Sequence, residues 1–111
     1  MSYYVKRTDV VSNNESDHQG CKLLDEKNGC VNGCYTGISY YTSTEYSPNP
    51  GVHEDQEGFY AIEGTGWAKI GDEEFRIEPD ISFIAPAGVP HTLKRDPDSV
   101  PIKVFWFHSA I

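Results

Sequence analysis

Cysteine, methionine and long apolar runs are all scarce in this sequence of 111 residues. It has 3 cysteines and 1 methionine, and no run of about 18 apolar residues of the kind that forms a transmembrane helix. The first ten residues lack the apolar centre of a signal peptide. We therefore expect a cytoplasmic protein with no membrane partner, in which Cys21, Cys30 and Cys34 are free thiols. Three residues separate Cys30 from Cys34, a spacing that a turn explains better than a redox or metal role.

Positive charge is also scarce. Against 17 aspartates and glutamates the chain has 9 lysines and arginines, which gives a formal net charge of −8. Such a chain repels phosphate backbones, and this argues against nucleic acid as a partner. The same field favours a cation or a neutral small-molecule ligand, although acidity that serves only solubility is the simpler interpretation.

Helical periodicity is nearly absent, and short alternating segments take its place. The predicted strands, bounded mostly by turn signals, are residues 34–41, 58–62, 67–70, 74–77, 81–85, 91–94 and 102–107. Strands this short and this closely spaced indicate a sandwich or barrel, and no strand–helix–strand unit is visible. We therefore predict one all-β domain over residues 1–111, with the polar segment 9–20 as a loop.

Two stretches, at about 50–71 and 80–95, contain polar residues at fixed spacings. In the first, three residues separate His53 from Glu57 and six separate Glu57 from Gly64. In the second, the pattern P-x-G-x2-H is formed by Pro86, Gly88 and His91. These spacings resemble the two motifs of the cupin superfamily, G-x5-H-x-H-x3,4-E-x6-G and G-x5-P-x-G-x2-H-x3-N, as found in its small single-domain bacterial members.

The chain departs from these motifs at three positions. The first motif histidine is replaced by Gly51, the opening glycine of the second motif by Asp80, and its closing asparagine by Arg95. Gly51 leaves the ligand set of the family one histidine short. The neighbouring side chains that could replace this ligand are those of Glu54, Asp55 and Gln56.

The resemblance implies a cupin barrel, which is a jelly roll or double-stranded β-helix, with a metal site made of His53, Glu57 and His91. Strand alternation agrees with this, because it places Glu57 and Phe59 on one face and Tyr60 on the other. A buried carboxylate is costly unless it is paired or bound to a metal. Two imidazoles and one carboxylate suit a divalent transition metal such as Zn, Fe, Mn or Ni. The alternative is that the two histidines line the barrel mouth and no metal binds.

Several side chains are candidates for catalysis or substrate binding. Glu57 would act first as a metal ligand, and as a proton shuttle only if it detaches. Arg95 follows His91 on the same predicted strand face and could bind a substrate carboxylate, with a salt bridge at the rim as the alternative. Trp106 and Phe59 are candidates for the pocket lining, and core packing is the alternative for Trp106.

The last predicted strand is apolar on both faces. One face is formed by Ile102, Val104, Trp106 and His108, and the other includes Phe105 and Phe107. This pattern predicts packing inside the barrel on one face and against a partner on the other. The resemblance to small cupins implies a homodimer with the outer sheet faces packed together, and this face with outward Tyr60 and Ile62 would suit that contact. His18, in the polar segment, is expected to be solvated.

The resemblance leaves different classes of function open. One is a metal-dependent enzyme acting on a small organic acid or sugar-like molecule, as a dioxygenase, decarboxylase, isomerase or lyase. Another is a non-catalytic small-molecule-binding or sensor protein with an incomplete metal site. A third is a structural dimer with a vestigial site. One fold hosts many activities, so the resemblance does not choose among them.

Overall fold

The fold, described by a computed structural model over residues 2–14 and 18–109, consists of nine strands and two short 3-10 turns. The strands are β1 (Asn13–Asn14), β2 (His18–Lys22), β3 (Tyr35–Tyr41), β4 (Glu57–Glu63), β5 (Gly66–Ile70), β6 (Glu73–Ile77), β7 (Ser82–Ala85), β8 (His91–Arg95) and β9 (Ile102–His108). The 3-10 turns are Arg7–Asp9 and Glu26–Asn28. Within the described ranges, no helix has the length and apolarity needed to cross a membrane.

The strands form two antiparallel sheets. The larger sheet has six strands in the order β1-β2-β3-β9-β4-β7, and the smaller has three in the order β6-β5-β8. The all-β prediction is therefore confirmed, and the predicted barrel takes the form of a two-sheet sandwich. Each of the seven predicted strands corresponds to one of β3 to β9 to within one residue at either end.

One hydrophobic core draws on both sheets. Phe59 and Val104 contribute from the larger sheet, and Ile77 and Leu93 from the smaller, all with at most 1% of their surface exposed. Burying side chains of this size contributes roughly 1.5–3 kcal/mol each. The predicted alternation in β4 is present, since Phe59 faces the core and Tyr60 faces outward. All three cysteines are free thiols.

The prediction of a loop over residues 9–20 is wrong in part. Asn13–Asn14 forms β1, and β2 begins at His18, while residues 15–17 lie outside the described part of the chain. These polar segments form strands because their backbones are paired: β1, the edge strand, pairs with β2, and β2 pairs with β3. His18 is accordingly not simply solvated: it is half-buried, and its ring stacks on Tyr41 at 5.0 Å between centroids.

Two motif glycines adopt backbone angles that favour glycine. Gly64 has φ +89°, and a Cβ there would lie 2.8 Å from the carbonyl oxygen of Pro101. Gly88 has φ +76° in the turn that precedes His91. The N–H of Gly88 donates to the carbonyl of His53 at 2.8 Å, so this turn ties the loop that carries His53 to the start of β8.

Candidate metal centre

His53 and Glu57 meet where the loop before β4 enters the strand. Glu57 is the first residue of β4, and its side chain is buried on the inward face. His53 precedes it by four residues and folds back over it, so that His53 Nε2 lies 3.1 Å from Glu57 Oε1. The sequence motif thus brings the two groups together through a tight loop.

His91 approaches the same carboxylate from the other sheet. It is the first residue of β8, and it forms an isolated bridge with Gly51 in which each N–H donates to the carbonyl of the other at 2.9 Å. This bridge sets the backbone position of His91. Its Nε2 lies 3.3 Å from Glu57 Oε1.

His108 is a member of the cluster that the motif does not include. It is the last residue of β9 and pairs directly with Glu57 across the sheet. Its Nε2 lies 3.5 Å from Glu57 Oε1. Ligand atoms of His53, Glu57 and His108 all lie within 4.8 Å of one another, so this trio could hold a metal ion. The available signal was the alternation of β9, which placed His108 on the inward face with Trp106.

Gly51 and the residues beside it do not supply the missing ligand. A Cβ at Gly51 would lie 2.8 Å from His91 Nε2, so the imidazole of His91 occupies the space that a side chain at position 51 would need. Glu54 and Gln56 are exposed. Asp55 is directed toward two imidazoles: its Oδ2 lies 2.6 Å from His108 Nδ1 and its Oδ1 lies 2.9 Å from His53 Nδ1.

These contacts shift the pKa values of His53 and Asp55. Burial would raise the pKa of Asp55, but the hydrogen bond from His108 and its charge outweigh this effect and hold the pKa below its usual value. Burial would lower the pKa of His53, but its hydrogen bonds to the Asp55 carbonyl and to Glu57 raise it overall. The centre is therefore a mutually stabilised network of imidazoles and carboxylates.

The cluster lies in a cavity of about 570 Å³. Aromatic side chains of the larger sheet line it beside the imidazoles, namely Tyr35, Tyr41 and Trp106. Tyr35 stacks on His108 with 4.1 Å between ring centroids. Trp106 Nε1 donates to Ser39 Oγ at 2.8 Å, which fixes both the indole and the hydroxyl at the cavity wall. A volume of this order suits a small organic ligand.

Two predicted substrate-binding residues, Arg95 and Phe59, are absent from the cavity lining that the described residues form. The guanidinium of Arg95 donates to backbone carbonyls, among them those of Thr42 at 2.9 Å and Ser99 at 3.0 Å. It therefore ties loops together. Phe59 is buried in the core, where its ring stacks on Phe83 at 4.7 Å.

The chain is similar in fold to several solved structures. The polyketide cyclase RemF from Streptomyces resistomycificus superposes with a TM-score of 0.77 at 21% identity, covering 97% of this chain and 80% of that one. A predicted oxalate decarboxylase from Thermotoga maritima gives 0.79 at 10% identity, covering 96% and 98%. The Fe(II) form of HppE gives 0.71 at 12% identity, covering 95% of this chain and 59% of that one.

Sequence comparison points to the same fold. The curated protein sequences give no match to the chain. A family model described as "Cupin domain" matches residues 40–108, which include every member of the histidine and glutamate cluster and well over half of the chain. The chain therefore belongs to the cupin family.

Proposed function

We propose that this protein is a metal-dependent cupin enzyme that acts on a small organic acid or sugar-like molecule. Glu57, His53 and His108 would hold the metal, with His91 as a fourth ligand. One observation carries the proposal: three imidazole Nε2 atoms surround a single carboxylate oxygen, Glu57 Oε1, at 3.1, 3.3 and 3.5 Å. This convergence lies within a cavity large enough for a substrate.

The donor set fits a divalent first-row metal. Imidazole nitrogens and a carboxylate oxygen suit Zn, Fe, Mn or Ni. Glu57 is buried, and a buried carboxylate is stabilised by a cation. The Nδ1 atoms of the three histidines have oxygen partners, which are Asp55 for His53 and His108 and the carbonyl of Val89 for His91. The three Nε2 atoms are thereby left to face Glu57.

The side chains around the cluster would control the reaction. A bound divalent metal would supply Lewis acidity and positions at which substrate or water can bind. Trp106, held by Ser39, and Tyr35, stacked on His108, would shape the substrate site and limit access of water. Glu57 would hold the charge of the metal and would move a proton only from a detached position.

The related structures support the enzyme interpretation without choosing a reaction. They include a polyketide cyclase, a predicted oxalate decarboxylase and an Fe(II) protein. Gly51, where the family motif has a histidine, favours a second candidate, a non-catalytic metal-binding protein that captures a small molecule. Turnover of any substrate found by ligand screening separates these two functions.

Metal titration tests the proposal. Protein purified without a metal-affinity tag is stripped with chelator and titrated with Zn²⁺, Fe²⁺, Mn²⁺ and Ni²⁺. We expect one metal per chain and, at a free metal concentration of about 100 times Kd, about 2.7 kcal/mol of stabilisation. This corresponds to a rise in Tm on the order of 10 °C.

Histidine variants locate the bound metal. His108→Ala is expected to lower the affinity at least roughly 10-fold, since it removes a ligand. His18→Ala is the matched control, because His18 also lines the cavity but lies outside the cluster. Absence of stoichiometric metal, together with an unchanged Tm for all four ions, would refute the proposal.

We also propose that two copies associate through the outer face of the larger sheet. The residues exposed there on the neighbouring strands β9, β4 and β7 include Phe107, Tyr60 and Ile84. Phe107 and Ile84 both pair with Gly58, so these apolar side chains form one surface. A cytoplasmic location stays a prediction from the sequence.

A further inference from the structure

We propose that Asp55 is a positioning residue of the metal centre, a single carboxylate that orients His53 and His108 at the same time. This inference rests on the proposed function, because the two imidazoles it orients are proposed metal ligands. In this role Asp55 does not replace the missing motif histidine as a ligand but orients two of the proposed ligands.

The two oxygens of the Asp55 carboxylate lie beside imidazoles that come from different parts of the fold, and the one to His108 is a hydrogen bond. Oδ2 lies 2.6 Å from Nδ1 of His108, at the end of β9. Oδ1 lies 2.9 Å from Nδ1 of His53, in the loop before β4. The main-chain carbonyl of Asp55 lies 2.7 Å from the same Nδ1 of His53. One residue thus provides three acceptor contacts to the outer nitrogens of two ligands.

These contacts keep a proton on Nδ1 of each ring. An imidazole that donates its Nδ1–H to an oxygen keeps the lone pair of its neutral form on Nε2. In both rings Nε2 is the atom directed at Glu57, at 3.1 Å from His53 and 3.5 Å from His108. Carboxylates placed behind metal-bound histidines in this way orient the ring and increase its basicity. Asp55 therefore orients the Nε2 atoms of both rings for metal binding already in the metal-free protein.

Its position along the chain makes this double contact available. Asp55 lies midway between His53 and Glu57, so its backbone belongs to the loop that carries both ligands. The side chain has 16% of its surface exposed, so water competes weakly for its oxygens. Both Asp55 oxygens point to the outer nitrogens, away from the Nε2 atoms, which argues against Asp55 as a ligand itself.

The alternative is that Asp55 merely holds the loop against β9. Asp55→Asn separates the two roles, because an amide keeps the size of the side chain but has one acceptor oxygen and no charge. Asp80→Asn is the matched control: the Asp80 carboxylate accepts a hydrogen bond from Tyr60 at 2.6 Å, and Asp80 is absent from the cavity lining that the described residues form. Asp80 has φ +75°, which asparagine also tolerates.

The experiment has two readouts besides activity. Long-range ¹H–¹⁵N NMR on the metal-free wild-type protein reports which imidazole nitrogen carries the proton. Titration with Zn²⁺, and the visible spectrum with Co²⁺, report affinity and ligand geometry. We expect Nδ1 of both His53 and His108 to carry a proton in the wild type. In Asp55→Asn we expect an affinity loss of about 10- to 100-fold and a changed Co²⁺ spectrum. Asp80→Asn should match the wild type in both.

The outcomes distinguish failure of this inference from failure of the proposed function. Wild-type protein that binds no metal overturns the proposed function. Wild-type rings with a proton on Nε2 and none on Nδ1 overturn the role of Asp55, and this measurement needs no variant to fold. Unchanged Zn²⁺ affinity and an unchanged Co²⁺ spectrum in folded Asp55→Asn also overturn it.

Discussion

At the scale of single residues, the cluster departs from the family motif in two ways. The first motif histidine is absent, and His108 is an imidazole that the motif does not contain. Gly51 stands where the family has a histidine, and His91 occupies the space beside it. His108 contributes an imidazole from the neighbouring strand. The proposed ligand set would therefore contain three histidines and one glutamate, as the family motifs do. One of these histidines comes from β9 and not from the first motif.

Gly51→Ala tests whether the absence of a side chain at this position matters to the site. The added Cβ would lie 2.8 Å from His91 Nε2 and would push the ring away from Glu57. Because the end of a side chain can move, we expect a loss of metal affinity of about 10-fold, with a loss of unfolding free energy below about 3 kcal/mol. Calorimetric metal titration and urea unfolding measure the two effects.

Gly20→Ala provides the control for this variant. Gly20 also lines the cavity, but a Cβ there would meet its nearest neighbour, Ser39 Oγ, at an ordinary 3.8 Å. Its metal affinity should stay at the wild-type value. Equal affinities for Gly51→Ala and wild type would show that the close approach of His91 to Gly51 does not support the site.

The sequence could point to part of this cluster and not to the rest. His53, Glu57 and His91 stand at motif spacings, and the structure brings them together. His108 is more than fifty residues away from His53 along the chain, and its proximity depends on the register between β9 and β4. Alternation gives the face of a residue but not its neighbour on the next strand, so it could not identify His108 as a ligand.

At the scale of elements, the loop between β8 and β9 is held to the smaller sheet by one carboxylate. Asp96 accepts two hydrogen bonds from Arg76 of β6, at 2.9 and 2.7 Å, and one from Thr65 at 2.8 Å. These bonds stabilise the ionised form and lower the pKa of Asp96 to about 2. The same loop leads into β9, which ends at His108.

The low pKa of Asp96 predicts a pH-dependent contribution to stability. Because the folded pKa lies below that of the unfolded chain, the stabilisation is complete above about pH 4 and is lost as the pH falls toward 2. Asp96→Asn should therefore unfold at lower urea concentration than wild type at pH 7, and the difference should shrink between about pH 4 and pH 2.

Asp98→Asn is the control in the same loop, since Asp98 is exposed. It should follow the wild-type curve across the pH range. A difference between Asp96→Asn and wild type that stays constant down to pH 2 would contradict the assigned ion pair with Arg76.

Strand prediction succeeded where the side chains carry a period of two. In β4 and β9, apolar inward residues alternate with outward ones, and these strands were located to within a residue. Most residues of β1 and β2 are polar; β1 is the edge strand and β2 borders the cavity. These strands depend on the backbone pairing of β1 with β2 and of β2 with β3, which the side-chain pattern does not report.

At the scale of the whole molecule, the exposed apolar face of the larger sheet predicts self-association. Ile84→Lys places a charge on this surface, across Gly58 from Phe107, and should convert dimers to monomers in light scattering, with little effect on stability, because Ile84 is 47% exposed. Val31→Lys, at a separate exposed valine, should leave the dimer intact. A wild-type protein that is monomeric at all concentrations would contradict this surface assignment.

We propose that one metal ion binds among His53, Glu57, His91 and His108 in the cavity. Anomalous diffraction from a crystal of the Zn²⁺-loaded protein, collected on both sides of the zinc edge, tests it most directly. We predict a single peak about 2.0–2.2 Å from the ligand atoms of these residues. A peak elsewhere, or no peak in this cluster at saturating zinc, would show that these residues are not the metal site.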